Sequence, residues 1–158
     1  MLNYKETMSL LLDWVRGNKQ KKIISPREKF FGSKALNFMI EAKSEENVYM
    51  KFLPSNTILK LEYWRFEEAI KFLENKNDVQ IGARLKTKKS TSLSSSLEEH
   101  LNTIAMRKHN RASDTKTAPY VCDLLVLSGI AEYVWTKSDI GRSVQGIRTR
   151  YNGRSTAD

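Results

Sequence analysis

The chain has 158 residues, enough for one ordinary domain or two small ones. Hydrophobic residues make up 40% of it, which excludes a chain that is disordered throughout. Lys and Arg outnumber Asp and Glu by 27 to 18, and the formal net charge of +9 favours an anionic partner, with nucleic acid first and an anionic membrane surface second. The excess is larger in residues 80–158, with 13 basic and 7 acidic residues, than in residues 1–79, with 14 and 11. The C-terminal half is therefore the better candidate for an anion-binding surface.

Cysteine content and apolar run length restrict the compartment. The single cysteine, Cys122, excludes an internal disulfide, and in its apolar helical context we expect it to be a small core residue. No apolar run approaches the ~18–20 residues that span a bilayer, and the N-terminus lacks the pattern of a secretion signal. We expect an intracellular, cytoplasmic protein with no membrane partner.

Two helices are predicted at the N-terminus. Apolar residues from Tyr4 to Val15 follow helical spacing, and Gly17 is a suitable end for this helix. The sequence Ser-Pro-Arg-Glu at residues 25–28 predicts the start of a second helix, because Ser caps it and Pro occupies the first turn. Apolar residues continue at helical spacing up to Ala42, so this second helix is predicted to be long.

The spacing then becomes that of strands. Alternation at residues 48–52 and 59–63 predicts a hairpin with a turn at residues 54–56. Helical spacing returns over residues 64–76, and alternation at residues 79–85 predicts a third strand. Residues 1–86 are thus predicted to form a small α+β unit in which two long helices cover a three-stranded sheet.

A low-complexity segment follows this unit. Lys86 to Ser96 shows no periodicity and contains five serines, so residues 87–95 are predicted to be a linker or mobile loop at a domain boundary. Three lysines of this segment are candidates for contact with a phosphate backbone: Lys86, Lys88 and Lys89.

The C-terminal residues predict two helices and a hairpin. Ser96 to Glu99 forms a capping box, and the helix that it opens ends among basic residues, which complement the helix dipole. A second helix runs from Thr117 to Ser128 and is stopped by Gly129. The strands of the hairpin are predicted at residues 130–135 and 143–151, with Ile147 and Tyr151 on one side. The other side carries Arg148 and Arg150.

This order of helix, glycine stop and basic hairpin resembles the last third of a winged helix-turn-helix domain, over residues 96–151. The resemblance implies that the helix from Thr117 reads the major groove and that the hairpin acts as a wing, with Arg142 at a phosphate or in the minor groove. The predicted contact residues near the helix start and in the hairpin are Arg111, Lys116, Thr117, Tyr120, Arg142, Ser143, Gln145, Arg148 and Arg150. Residues 152–158 are predicted to be a frayed tail.

Other binding functions remain open. The helix from Thr117 is apolar for a recognition helix, and a core helix or a dimer interface explains its composition equally well. A protein-interaction or dimerisation module, including a homodimer, is therefore one alternative. RNA is an alternative partner, because three aromatic residues near the strands are able to stack on bases: Tyr49, Tyr63 and Trp64.

Enzymatic motifs are scarce. The sequence lacks a phosphate-binding loop, a dinucleotide fingerprint and a nucleophile elbow, and its histidines, His100 and His109, do not have metal-ligand spacing with Cys122. We predict no cofactor and no metal. Glu41-Ala-Lys43 resembles the acidic-x-Lys element of metal-dependent nucleases, but that element needs a strand and the spacing here predicts a helix end.

The leading interpretation is an α+β protein whose winged-helix-like C-terminal domain binds double-stranded DNA, as a regulator or an architectural protein. The target-recognition part of a restriction or DNA-processing nuclease is the alternative that retains nucleic acid as the partner.

Overall fold

The computed structural model describes residues 4–34, 36–74, 76–82, 96–110, 116–138 and 140–150. Within these residues the chain forms five helices and seven strands, which confirms the predicted α+β class. The elements in chain order are α1 Tyr4–Gly17, β1 Ile23–Ile24, α2 Pro26–Phe31, β2 Asn37–Lys43, β3 Asn47–Leu53, β4 Ile58–Glu62, α3 Tyr63–Glu74, β5 Val79–Gln80, α4 Leu97–His109, α5 Ala118–Leu127, β6 Ala131–Lys137 and β7 Ser143–Thr149.

The first sheet is an antiparallel meander in the order β1-β2-β3-β4. Alternate residues of its central strands, among them Phe38, Ile40 and Met50, are buried in the core together with Leu11 and Val15 of α1. The predicted three-stranded sheet is therefore wrong in two respects. The sheet has four strands, and β5, predicted as its third strand, belongs to a different sheet.

The prediction of a long second helix is also wrong. Its start is as predicted, because the Ser25 side chain accepts a hydrogen bond from the backbone N–H of Arg27 at 3.3 Å. The helix ends after six residues at Gly32, which has a φ of 73° and donates its N–H to the carbonyl of Glu28. Glycine adopts this left-handed conformation without steric cost, so it terminates the helix and frees the following residues to form β2.

The second sheet has the order β5-β7-β6. Val79 of β5 pairs with Ile147 of β7, and β6 pairs with β7 along its whole length, from Ala131 opposite Thr149 to Lys137 opposite Ser143. The predicted third strand is shorter than expected, since only Val79 and Gln80 have strand structure, and the rest of the prediction beyond Gly82 lies outside the described residues. The predicted linker at 87–95 and the tail at 152–158 also lie outside them.

Helices α3, α4 and α5 pack against one another, and α5 also contacts α1 and α2. The buried apolar residues form one cluster drawn from both halves of the chain. Cys122, fully buried in α5, belongs to this cluster, as predicted. Among the described helices, none combines the length and apolarity needed to cross a membrane.

Candidate nucleic-acid interface

The hairpin of β6 and β7 carries most of the predicted contact residues. Its turn is closed by hydrogen bonds from the Ser138 N–H to the Arg142 carbonyl at 2.8 Å and from the Gly141 N–H to the Ser138 carbonyl at 2.9 Å. Gly141 has a φ of 80°, a conformation that a side chain would disfavour. The turn therefore fixes Arg142 at the tip of the hairpin, where it is exposed.

Two exposed cations lie at this tip. Arg142 and Lys137 are both exposed, and neither forms an ion pair with a described carboxylate. Ser143, directly opposite Lys137 in the register, is exposed as well. These three residues place two positive charges and a hydroxyl on one end of the hairpin.

Arg148 is held by two carboxylates. Its Nε donates to Glu132 Oε2 at 2.7 Å across the strand pair, and its guanidinium lies 3.6 Å from Asp78 Oδ1. The hydrogen bond with Glu132 raises the pKa of Arg148 above its ordinary value. Arg150 lies 4.0 Å from the same Glu132. Ile147 faces the core and both arginines lie on the opposite side, as predicted, but the Arg148 charge is already balanced.

We expect Arg148→Ala to lower the free energy of unfolding by about 0.5–1 kcal/mol, the usual contribution of a cross-strand charge pair, and to leave nucleic-acid affinity nearly unchanged. Urea unfolding and a binding titration on the same variant measure both quantities. A large loss of affinity without loss of stability would show that Arg148 exchanges its carboxylate partners for phosphate.

Little of the predicted contact surface at the start of α5 is accessible. Lys116 is exposed, but Thr117 is buried, and its hydroxyl accepts a hydrogen bond from the guanidinium of Arg65 at 3.0 Å. Tyr120 is half-buried and packs against Phe52 with 4.9 Å between ring centroids. Of these three predicted residues, only Lys116 remains fully exposed.

Asp123 joins α5 to the N-terminal residues. The sequence pattern places it on the outer face of the helix, but it is fully buried. It accepts hydrogen bonds from Ser25 Oγ at 2.7 Å, from Arg27 Nε at 3.1 Å and from the Tyr133 hydroxyl at 2.5 Å. Burial lowers the pKa of Arg27, but attraction and hydrogen bonding to Asp123 outweigh this and leave it raised. Burial, reinforced by Asp123, raises the pKa of Tyr133 well above its usual range.

This network explains why α5 is enclosed. The buried carboxylate is matched by the Arg27 guanidinium and two hydroxyls, so it is neither unpaired nor solvated. Both partners from the N-terminal half belong to the start of α2, which holds that half against the helix. The face of α5 that would enter a groove is thus covered by the chain itself.

Gln145 links the hairpin to the loop after α2, since its side-chain amide donates to Ser33 Oγ at 2.6 Å. Gln145 is therefore occupied within the chain. The remaining predicted cations lie outside the described residues: Lys86, Lys88, Lys89 and Arg111.

The C-terminal end of α4 is a second basic surface. Arg107, Lys108 and His109 are exposed there, and the His109 ring stacks on Trp64 with 4.2 Å between centroids. Trp64 also carries the Arg65 guanidinium over its ring at 4.5 Å. His109 ends the helix as predicted, but Trp64 already stacks on its own neighbours.

The other aromatic candidates differ in availability. Tyr63 donates its hydroxyl to the Ser44 carbonyl at 3.0 Å, and burial raises its pKa. Tyr49 lies half-buried on β3, opposite Lys60 of β4. The other histidine of the chain, His100, stacks on Phe72 with 4.3 Å between ring centroids, and burial lowers the pKa of His100.

The acidic-x-Lys element lies on β2, so the predicted placement of Glu41 near a helix end is wrong. Glu41 falls within the register shift of the β2–β3 pair, and its carboxylate lies 3.6 Å from Lys51. Among the described residues, no group of three His, Cys, Asp or Glu side chains is arranged to hold a metal ion.

No protein-family model, curated protein or solved structure matches the chain.

Sequence reasoning missed Lys137 and Trp135 as candidates. Both are exposed and alternate with Val134 and Thr136 along β6. The period-two pattern over residues 131–137 contained this information, because it places Tyr133, Trp135 and Lys137 on one face.

Proposed function

We propose that residues 63–150 form a winged-helix-like unit that binds double-stranded DNA through the tip of its hairpin. The supporting observation is the order α3-β5-α4-α5-β6-β7 combined with the sheet order β5-β7-β6. A winged helix-turn-helix domain has the same order, with three helices, a strand between the first two, and a hairpin whose second strand pairs with that strand. On this proposal the unit begins at Tyr63 rather than at Ser96, since α3 and β5 supply the first helix and first strand.

The hairpin tip favours contact with phosphates. Arg142 is exposed at the turn, and its planar guanidinium is suited to bonding two phosphate oxygens at once. Lys137 adds a second charge one strand away, across the register from Ser143. Contacts of this kind position a protein on DNA but do not read the sequence of bases.

The enclosure of α5 favours binding with little sequence preference. Because Asp123 and Thr117 are buried and Tyr120 packs on Phe52, the helix offers Lys116 as its exposed polar residue. Base recognition in the major groove generally requires several side chains on one exposed helix face. An architectural role therefore fits the surface better than that of a sequence-specific regulator.

The test is a titration of the protein with duplex DNA at several salt concentrations. We expect the affinity to fall as salt rises, because bound cations displace counterions from DNA. Arg142→Ala and Lys137→Ala should each weaken binding to unrelated sequences alike and reduce the slope of log K against log salt by about 0.9. Lys60→Ala is the matched control, since Lys60 is exposed on β4 of the other sheet.

A wild-type protein without salt-sensitive affinity for duplex DNA would overturn the proposal. An equal effect of Lys60→Ala would assign binding to general surface charge instead of the hairpin. Adding Mg²⁺ or Mn²⁺ to plasmid in the same buffers tests the nuclease alternative, with Glu41→Ala as the variant that should abolish any cutting.

The protein-interaction alternative is less favoured by the described surface. That alternative requires the apolar α5 to form an interface with a partner. In the structure, α5 is covered by α1, α2, α3 and α4 of its own chain.

A further inference from the structure

An exposed aromatic surface lies between α2 and the edge strand β6. Phe31 is at its centre, with ring centroids 4.9 Å from Phe30, 5.0 Å from Tyr133 and 5.0 Å from Trp135. The two outer rings are solvent-accessible, with Phe30 49% exposed and Trp135 52% exposed. We call Phe30, Phe31 and Trp135 the aromatic surface.

The rings of this surface are held in place. Tyr133, next to Trp135 on the same face of β6, is buried and bonded to Asp123. Gln145 lies opposite Trp135 in the register, and its bond to Ser33 ties the loop after α2 to the hairpin. A ligand that stacks on Trp135 or Phe30 therefore meets rings that are already ordered, which reduces the entropic cost of binding.

Three exposed lysines lie close in the sequence to residues of the aromatic surface. Lys29 precedes Phe30, Lys34 follows Ser33, and Lys137 lies two residues beyond Trp135, and all three lysines are exposed. Among the described residues of α2 and its following loop, Glu28 is the exposed acid. Aromatic faces with cations at their edges are the combination that binds unpaired bases and their phosphates.

We propose that the aromatic surface binds single-stranded nucleic acid, with bases stacked on Trp135 and Phe30 and phosphates at Lys34 and Lys137. This extends the proposed function to a second ligand at a neighbouring surface, which shares Lys137 with the hairpin tip. The two proposals are tested separately, because Trp135 and Phe30 belong to the aromatic surface and Arg142 belongs to the hairpin tip. A second copy of the chain is disfavoured as the occupant. If two aromatic surfaces packed face to face, the positively charged lysines of the two copies would repel each other.

The experiment is fluorescence anisotropy with labelled oligo(dT) and oligo(U) of about 12 nucleotides, a length within the usual site size, and with a duplex of equal length. We expect Trp135→Ala to weaken single-strand binding roughly fivefold to a hundredfold, from the loss of stacking on one base. Trp135→Phe should retain most of the affinity because it keeps an aromatic face. Duplex binding should change less than about twofold, since Arg142 and Lys137 remain.

Phe30→Ala is the second variant, in case Trp135→Ala disturbs the hairpin, and it should also weaken single-strand binding selectively. Met106→Ala is the matched control, because Met106 is 62% exposed on α4, which contributes no residue to the aromatic surface. Circular dichroism melts of every variant separate lost binding from lost folding. The oligo(dT) and oligo(U) arms distinguish DNA from RNA as the source of the strand.

Three results would overturn the inference. The first is wild-type protein that binds duplex DNA but neither oligonucleotide, which leaves the proposed function standing. The second is single-strand binding that Trp135→Ala and Phe30→Ala leave unchanged. The third is a concentration-dependent dimer that Trp135→Ala dissociates, which would assign the surface to self-association. Single-strand binding lost in these variants, in a protein that does not bind duplex, would support the inference and overturn the proposed function.

Discussion

Replacing Asp123 by Ala is expected to lower the free energy of unfolding by about 3–5 kcal/mol, the usual cost of removing one partner of a buried ion pair. The carboxylate is fully buried and bonds Ser25, Arg27 and Tyr133. Its removal leaves the half-buried Arg27 guanidinium without its partner and two hydroxyls without their acceptor. Equilibrium urea unfolding, followed by circular dichroism, measures the loss.

Asp13→Ala provides the control for this experiment. Asp13 also pairs with an arginine, Arg16, at 3.2 Å, but its side chain is 72% exposed. An exposed pair of this kind contributes little, so the change should stay within about 0.5 kcal/mol. A loss below about 1 kcal/mol for Asp123→Ala, well short of the buried-pair range, would mean that water or another side chain replaces the carboxylate easily.

Replacing Gly146 by Ala is expected to lower the free energy of unfolding by about 1–3 kcal/mol, the usual cost of overpacking. A Cβ at this position would lie 2.6 Å from Thr136 Cγ2 on β6 and 3.1 Å from the Val79 carbonyl oxygen on β5. Gly146 pairs with Val134 and Gln80 in the centre of the second sheet, so neither neighbouring strand is able to move away without losing ladder hydrogen bonds.

A double-mutant cycle identifies the clash. Thr136→Ser removes Cγ2, so it should recover part of the stability lost in Gly146→Ala, while the close approach to Val79 persists. Gly82→Ala is the control, because an added Cβ there meets nothing within 4 Å. If the two substitutions prove additive, Thr136 is not the group that excludes a side chain at residue 146.

Local patterns predicted most elements of this fold. The caps at Ser25 and Ser96, and the alternation along β3 and β7, are properties of neighbouring residues, and each appears in the structure. The second helix is predicted too long because apolar residues continue at helical spacing after Phe31, whereas Gly32 ends the helix in the left-handed conformation. Phe38 and Ile40 also alternate with Met39, a strand pattern that helical spacing obscured.

Local sequence patterns do not predict the contacts between residues that are distant in the chain. Nothing around Val79 indicates that it pairs with Ile147 instead of extending the first sheet. The burial of Asp123 depends on Ser25 and Arg27, which lie in a different part of the chain, so the helical pattern around residue 123 does not predict it. The pairing of Arg148 with Glu132 is an intermediate case, since it follows from the hairpin register once the turn is known.

The Asp123 network also has a consequence for the time course of folding. Ser25 and Arg27 are 98 and 96 positions away from Asp123 in the chain. These contacts therefore join residues that are far apart in the sequence, and they close a long loop. During synthesis, the first sheet leaves the ribosome well before the carboxylate that α2 must meet. Because a carboxylate without its partners buries poorly, the burial of α5 in the second half of the chain depends on Ser25 and Arg27 of the first half.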